Sequence, residues 1–199
     1  MVHKVLIAVL FAVLATAIAV PAAYAGNGNG KVKPLDPEQA QALASAPGYS
    51  VGTSVVPTTK QEALAAASLP GAQTTLAAGF ATPQQAVTAS TGCAAYDSGW
   101  HWGTWPYDQQ VTDHTYYCAV TGDRITYRST TVTAGGTLCD SESRDNWIVS
   151  GGIGYFWMVV HAQSRFSCPT AVPWVNLHPS DWVETSYNAW GNAAQVGHS

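Results

Sequence analysis

The strongest constraint on the fold is an abrupt change in side-chain type near residue 91. All eight tryptophans and all four cysteines of the chain lie beyond that point, with 17 aromatic residues in 91–199. Residues 26–90 contain only Tyr49 and Phe80 among many Ala, Thr, Pro and Gly. A segment that poor in large apolar groups does not offset its own ordering entropy by burial, whereas the second segment can. The expected organisation is therefore a spacer over 26–90 and one β domain over 91–199, a normal domain size.

Residues 1–25 read as a removable signal peptide. Lys4 supplies the positive start, Val5 to Val20 is an apolar run containing Thr, and Ala23-Tyr24-Ala25 gives a small-x-small cleavage pattern. The run is about 16 residues, short of the roughly 20 needed to cross a hydrocarbon core. The expected location is secreted and extracellular, with no membrane association after cleavage. The Ala/Thr/Gly-rich spacer behind such a leader has a bacterial look.

Cys93, Cys118, Cys139 and Cys168 fit that compartment, because an even number of cysteines suits a disulfide framework. No C-x-x-C pair marks a zinc site. Three pairings are open, and the working expectation is Cys93–Cys118 with Cys139–Cys168.

Within the spacer, Asp36-Pro37-Glu38 carries helix-starting chemistry, Thr59 to Leu69 repeats it, and Thr82-Pro83 opens a third short helix. Each is marginal alone in water. Transient helices in a flexible spacer are the expectation, with a pro-segment or a strap packed on the β domain as the rival. GNGNGKVK, at the start of the mature chain, reads as a flexible lead-in.

In the β domain, His114 to Val120 and Arg124 to Thr133 form a hairpin about Thr121-Gly122-Asp123. Ile153 to Ser167 is the longest strand pattern, and Trp100 to Trp105, Thr137 to Cys139 and Asn146 to Ser150 are weaker ones. Pro179 to Asn188 reads as one short helix. Short strands at such spacing imply an all-β fold, an antiparallel β-sandwich of Ig-like or jelly-roll-like type with two disulfides.

On the long strand, Phe156, Met158, Val160, Ala162 and Phe166 share one face, the core side. Tyr155, Trp157, Val159, His161, Gln163 and Arg165 share the other, mixing aromatics with hydrogen-bonding groups. Trp100, Trp102, Trp105 and Tyr107 crowd into GWHWGTWPY. Flat aromatic faces beside polar groups suit sugar rings, whose C–H faces stack while hydroxyls find partners. The candidate ligand-binding residues are thus Trp100, Trp102, Trp105, Tyr107, Tyr155, Trp157, His161, Gln163 and Arg165.

Catalytic signals are weak. His101, His114, His161 and His178 are available, but no nucleophile, metalloprotease or phosphate-loop motif surrounds them. Asp113 and His114 are neighbours on a strand and point to opposite faces. The acidic stretch Asp140 to Asp145 reads as a solvated loop rather than a calcium site. Trp174, Trp182 and Trp190 recur every eight residues, with Pro179 breaking any common strand. No N-x-[ST] sequon is present in the mature chain. Four arginines against nine carboxylates give the domain a negative charge, which disfavours nucleic acid. No motif requires a cofactor or a metal.

The function expected from sequence is a secreted, non-catalytic binding domain for extracellular or cell-envelope carbohydrate. The alternatives are a secreted hydrolase using a His/carboxylate pair, and a protease-inhibitor or protein-interaction module.

Overall fold

The structure is a computed structural model that describes residues 48–50, 55–103, 107–170 and 174–199. The expected signal peptide, the lead-in, the helix at Asp36 and Trp105 lie outside the described residues. Two antiparallel sheets pack face to face as a sandwich. In chain order the strands are β1 (Tyr49–Ser50), β2 (Val56–Thr58), β3 (Gln73–Leu76), β4 (Gly92–Trp102), β5 (Gln109–Val120), β6 (Arg124–Gly136), β7 (Asp140–Gly151), β8 (Trp157–Pro169), β9 (Asn176–Leu177), β10 (Ser180–Asn188) and β11 (Ala193–His198). Two helices, α1 (Lys60–Ala66) and α2 (Pro83–Ala89), precede β4.

Sheet A runs β1-β4-β5-β6-β3, with β2 also on β4; sheet B runs β11-β10-β8-β7, with β9 on β8. Sheet A is built on the β4-β5-β6 meander, to which β1, β2 and β3 pair from earlier in the chain, and in sheet B every strand lies beside a chain neighbour. The expected hairpin is β5–β6, closed by Thr121-Gly122-Asp123, with Gly122 at φ 75° in the left-handed region. The long strand pattern becomes β8, starting at Trp157 because Gly151, Gly152 and Gly154 turn the chain first.

Residues 180–188 form strand β10, not a helix: Val183, Thr185 and Tyr187 alternate inward, and both edges pair, with β8 and β11. Residues 140–145 form the start of β7, not a loop, with a bulge between Ser141 and Ser143. As a sheet edge, β7 keeps a polar sequence while its backbone pairs along β8.

The short helices expected at Thr59 and Thr82 are present. A capping box closes α1, in which Thr59 and Glu62 satisfy each other's backbone N–H groups. Rather than stand free, the helices cover the outer face of sheet A, where Ala63, Ala86 and Val87 bury Cys118 and Tyr127. The Tyr127 hydroxyl donates to Ala63 O at 2.7 Å, and Lys60 Nζ donates to Ser90 O at 2.7 Å. Helices of 7 residues each do not hold in water alone; burial against the sheet supplies what their length lacks.

The disulfides pair Cys93 with Cys118, opposite one another on β4 and β5, and Cys139 with Cys168. Two such bridges fit an oxidising extracellular environment. Among the described residues no helix is long and apolar enough to cross a membrane.

Between the sheets, two apolar clusters flank a polar seam. One gathers Tyr117, Ile125, Met158, Val160 and Tyr187, the other Val111, Ala162, Phe166 and Val183. In the seam, Asp113 is fully buried and accepts from Thr115 Oγ1 at 2.7 Å and from the Tyr187 hydroxyl at 2.9 Å. Arg128, 2% exposed, donates through Nη2 to Asn146 Oδ1 at 2.9 Å. Thr126 on β6 is buried as well, while Arg124 at the start of the strand is exposed. Burial pushes the Asp113 carboxyl up to about 6, opposed by its hydrogen bonds and by the Arg128 charge.

Candidate functional site

The pleat of β8 sends Met158, Val160, Ala162, Ser164 and Phe166 into the sandwich. The alternating set, Trp157, Val159, His161, Gln163 and Arg165, goes to the outer face of sheet B. Register then decides what they meet. His161 lies opposite Trp147 on β7 and opposite Glu184 on β10, while Gln163 lies opposite Trp182.

These cross-strand pairs make a ladder. The rings of Trp147 and His161 stack at 4.3 Å between centroids, 27° from parallel. His161 and Trp182 stack at 5.1 Å and 23°. His161 Nδ1 and Glu184 Oε1 are 2.9 Å apart, so the carboxylate fixes the imidazole between two indoles. On the next strand Gly197 leaves the space Trp182 occupies: a Cβ there would sit 3.1 Å from the indole. Trp147 is 40% exposed on the edge strand and Trp157 is 43% exposed on the same face. Beyond Gln163, Glu142 bridges Arg165 at 3.4 Å and His178 at 3.0 Å.

The outer face of sheet B is thus aromatic along one line and polar around it. Soluble monomers seldom show large apolar area that serves no contact. Rings held by neighbouring rings and a carboxylate lose little freedom on binding a ligand, which favours affinity.

The expected site residues separate into groups. Trp157, His161, Gln163 and Arg165 share this face. Tyr155, 65% exposed, lies in the turn before β8, beside the same sheet's end. Trp100 and Trp102 belong to sheet A and pack toward the C-terminal strand: Trp100 stacks on His198, and Trp102 Nε1 donates to Ser199 O at 2.9 Å. Tyr107 is buried in the second apolar cluster, away from solvent. Among the described residues of GWHWGTWPY, Trp100 and Trp102 meet edge-on with centroids 6.4 Å apart, and Trp102 packs against the cluster that buries Tyr107.

Trp147, Trp182 and Glu184 were not among the residues singled out from sequence for binding. Their signal is parity: Trp182 and Glu184 lie two apart on one face of β10, but only the strand register shows that this face meets His161. Trp174, Trp182 and Trp190 fall respectively outside the strands, on β10 and in the turn after it.

The other histidines also meet carboxylates. On the outer face of sheet A, His114 Nδ1 lies 2.9 Å from Asp97 Oδ1, and its Nε2 lies 2.7 Å from Thr133 Oγ1. The hydrogen bond to Asp97 raises the His114 pKa against its burial. Asp113, its chain neighbour, points into the seam instead. His178 pairs with Glu142, not with Asp181, whose carboxyl burial pushes up to about 6. Among the described residues no group of three or more His, Cys, Asp or Glu side chains is arranged to hold a metal ion.

Comparisons with protein-family models, with curated proteins and with solved structures return no match.

Proposed function

We propose that this chain is a secreted, non-catalytic domain that binds extracellular or cell-envelope glycan on the outer face of sheet B. One observation carries the reading: the Trp147–His161–Trp182 ladder stands on the solvent side of the sheet, fixed by Glu184 and bordered by Trp157, Gln163 and Arg165. The open indole surface of Trp147 and of Trp157 offers stacking area for sugar C–H faces. Gln163, Arg165 and Glu184 offer donors and acceptors for hydroxyls. The negative charge of the domain is compatible with a neutral polysaccharide.

The test is retention of the mature protein on insoluble cellulose, chitin, xylan and purified cell-wall sacculi. Wild type is expected to be retained on at least one of these. Trp147→Ala combined with Trp157→Ala is expected to weaken retention at least tenfold, with the thermal midpoint little changed because both side chains are exposed. Equal retention of wild type and double variant would overturn the site; no retention on any matrix would overturn the function.

A hydrolase remains the second reading, favoured by the Asp97–His114–Thr133 chain of hydrogen bonds on sheet A. Release of reducing sugar or of p-nitrophenol from its acetate, abolished in His114→Ala, would support it. Turnover equal to buffer would remove it.

A further inference from the structure

A cleft of about 380 Å³ opens at the end of the sandwich, between the start of β4, the end of β5 and the turn joining β10 to β11. Its size falls at the small end of pockets that hold small ligands. The floor is made of Ala94, Ala119 and Ala189, whose short side chains leave the space open above Tyr117. One wall is Trp190, 62% exposed.

That indole is held in place although solvent reaches most of it. Asn188 Oδ1 accepts from the backbone N–H of Trp190 at 3.0 Å and from that of Asn192 at 3.2 Å, tying the turn together. Gly122 N donates to Ala189 O at 3.1 Å, anchoring the turn to the β5–β6 hairpin. Phe156 meets the indole edge-on with centroids 6.3 Å apart. Gly122 lies against its six-membered ring so closely that a Cβ would stand 2.8 Å from Cη2. A Trp with this much exposed area gains little from burial, yet its backbone, one edge and one side are all fixed. Such an arrangement suits a preformed stacking platform, because a ligand then pays little ordering cost on binding.

The polar groups around the cleft are neutral. The Tyr117 hydroxyl donates to Asn192 O at 3.3 Å, and burial raises its pKa, so it stays a phenol. Thr121 Oγ1 lies at the rim, 2.7 Å from Thr91 Oγ1. Among the described residues no charged side chain lines the cleft. This separates it from the outer face of sheet B, where Glu184, Arg165 and Glu142 stand among the aromatics.

We infer that this cleft is a second subsite, taking one neutral pyranose ring of the bound glycan against Trp190. The inference rests on the glycan-binding reading above and narrows its ligand to neutral sugars. A uronic acid carboxylate would lose water here without finding a cation, a cost the site has no means to offset.

The experiment titrates ¹⁵N-labelled protein with cellohexaose, chitohexaose, xylohexaose and oligogalacturonate, following the indole N–H signals. The Trp190 signal is identified by its loss in Trp190→Phe. A neutral oligosaccharide is expected to shift it, and oligogalacturonate is not. Trp190→Ala is expected to lower the affinity at least tenfold and Trp190→Phe by less. Shifts confined to other indoles, or unchanged affinity in Trp190→Ala, would overturn the subsite while leaving the glycan reading intact. No shift with any sugar, together with no retention on the insoluble matrices, would overturn both.

Discussion

Arg128→Met is expected to destabilise the protein by about 3 kcal/mol at pH 7.5 and by only about 1 kcal/mol at pH 5, measured by urea denaturation at both. The larger figure is typical of leaving a buried charge without its compensating partner. The smaller is a lost hydrogen bond, that to Asn146. The difference arises at Asp113, which is fully buried and faces Thr115 on its own strand, Tyr96 on β4, Arg128 on β6 and Tyr187 on β10. Burial lifts its carboxyl to about 6, above its ordinary 3.8. The folded state therefore binds the proton more tightly than the unfolded chain. That stabilisation is complete below about pH 4 and is lost as pH rises through 6. At pH 7.5 Asp113 is charged and depends on Arg128; at pH 5 it is mostly neutral and depends on it far less.

The wild type should follow the same sign. Asp181, raised by burial, and His114, raised mainly by its hydrogen bond to Asp97, also favour the protonated folded state. Stability is expected to increase from pH 7.5 to 5, with on the order of 1 kcal/mol from Asp113. Asp113→Asn should flatten that slope and, combined with Arg128→Met, recover part of the loss at pH 7.5. A pH-independent cost for Arg128→Met would show that the two side chains are not coupled.

Removing either disulfide is the second large effect. Replacing Cys139 and Cys168 together by Ala releases a 29-residue separation, and replacing Cys93 and Cys118 releases one of 25. By the chain-entropy relation each is expected to cost about 3.5 kcal/mol. The two should differ in what opens. Cys93–Cys118 lies beneath α1 and α2, so its loss should raise amide exchange in both helices. Cys139 and Cys168 lie between the sheets with Phe166 and Val183, so their loss should loosen the sandwich there. Indistinguishable exchange patterns in the two variants would contradict that division.

Features written in contiguous residues were readable from sequence: the β5–β6 hairpin, the in–out alternation of β8, and the caps at Thr59 and Thr82. Features set by pairing between distant residues were not. Ser180–Asn188 carries Asp181 and Glu184 just after a proline, as the first turn of a helix would, and only its position between β8 and β11 makes it a strand. The same holds for the ladder. His161 was recognisable as lying on a mixed face, but Trp147 and Trp182 reach it through the registers of two other strands. Tyr107 shows the converse, because aromatic density in GWHWGTWPY does not state which rings face inward.

The sheet topology has a consequence for the order of assembly. Pairing between chain neighbours, as in β4-β5-β6 and β7-β8, closes only short loops, so these parts of each sheet form at small entropic cost. Asp113, however, takes its hydrogen bond from Tyr187 of the opposite sheet. Proton uptake by this carboxyl is thus expected to accompany docking of the two sheets, so that folding rates should carry its titration between pH 5 and 7.5 and lose it in Asp113→Asn.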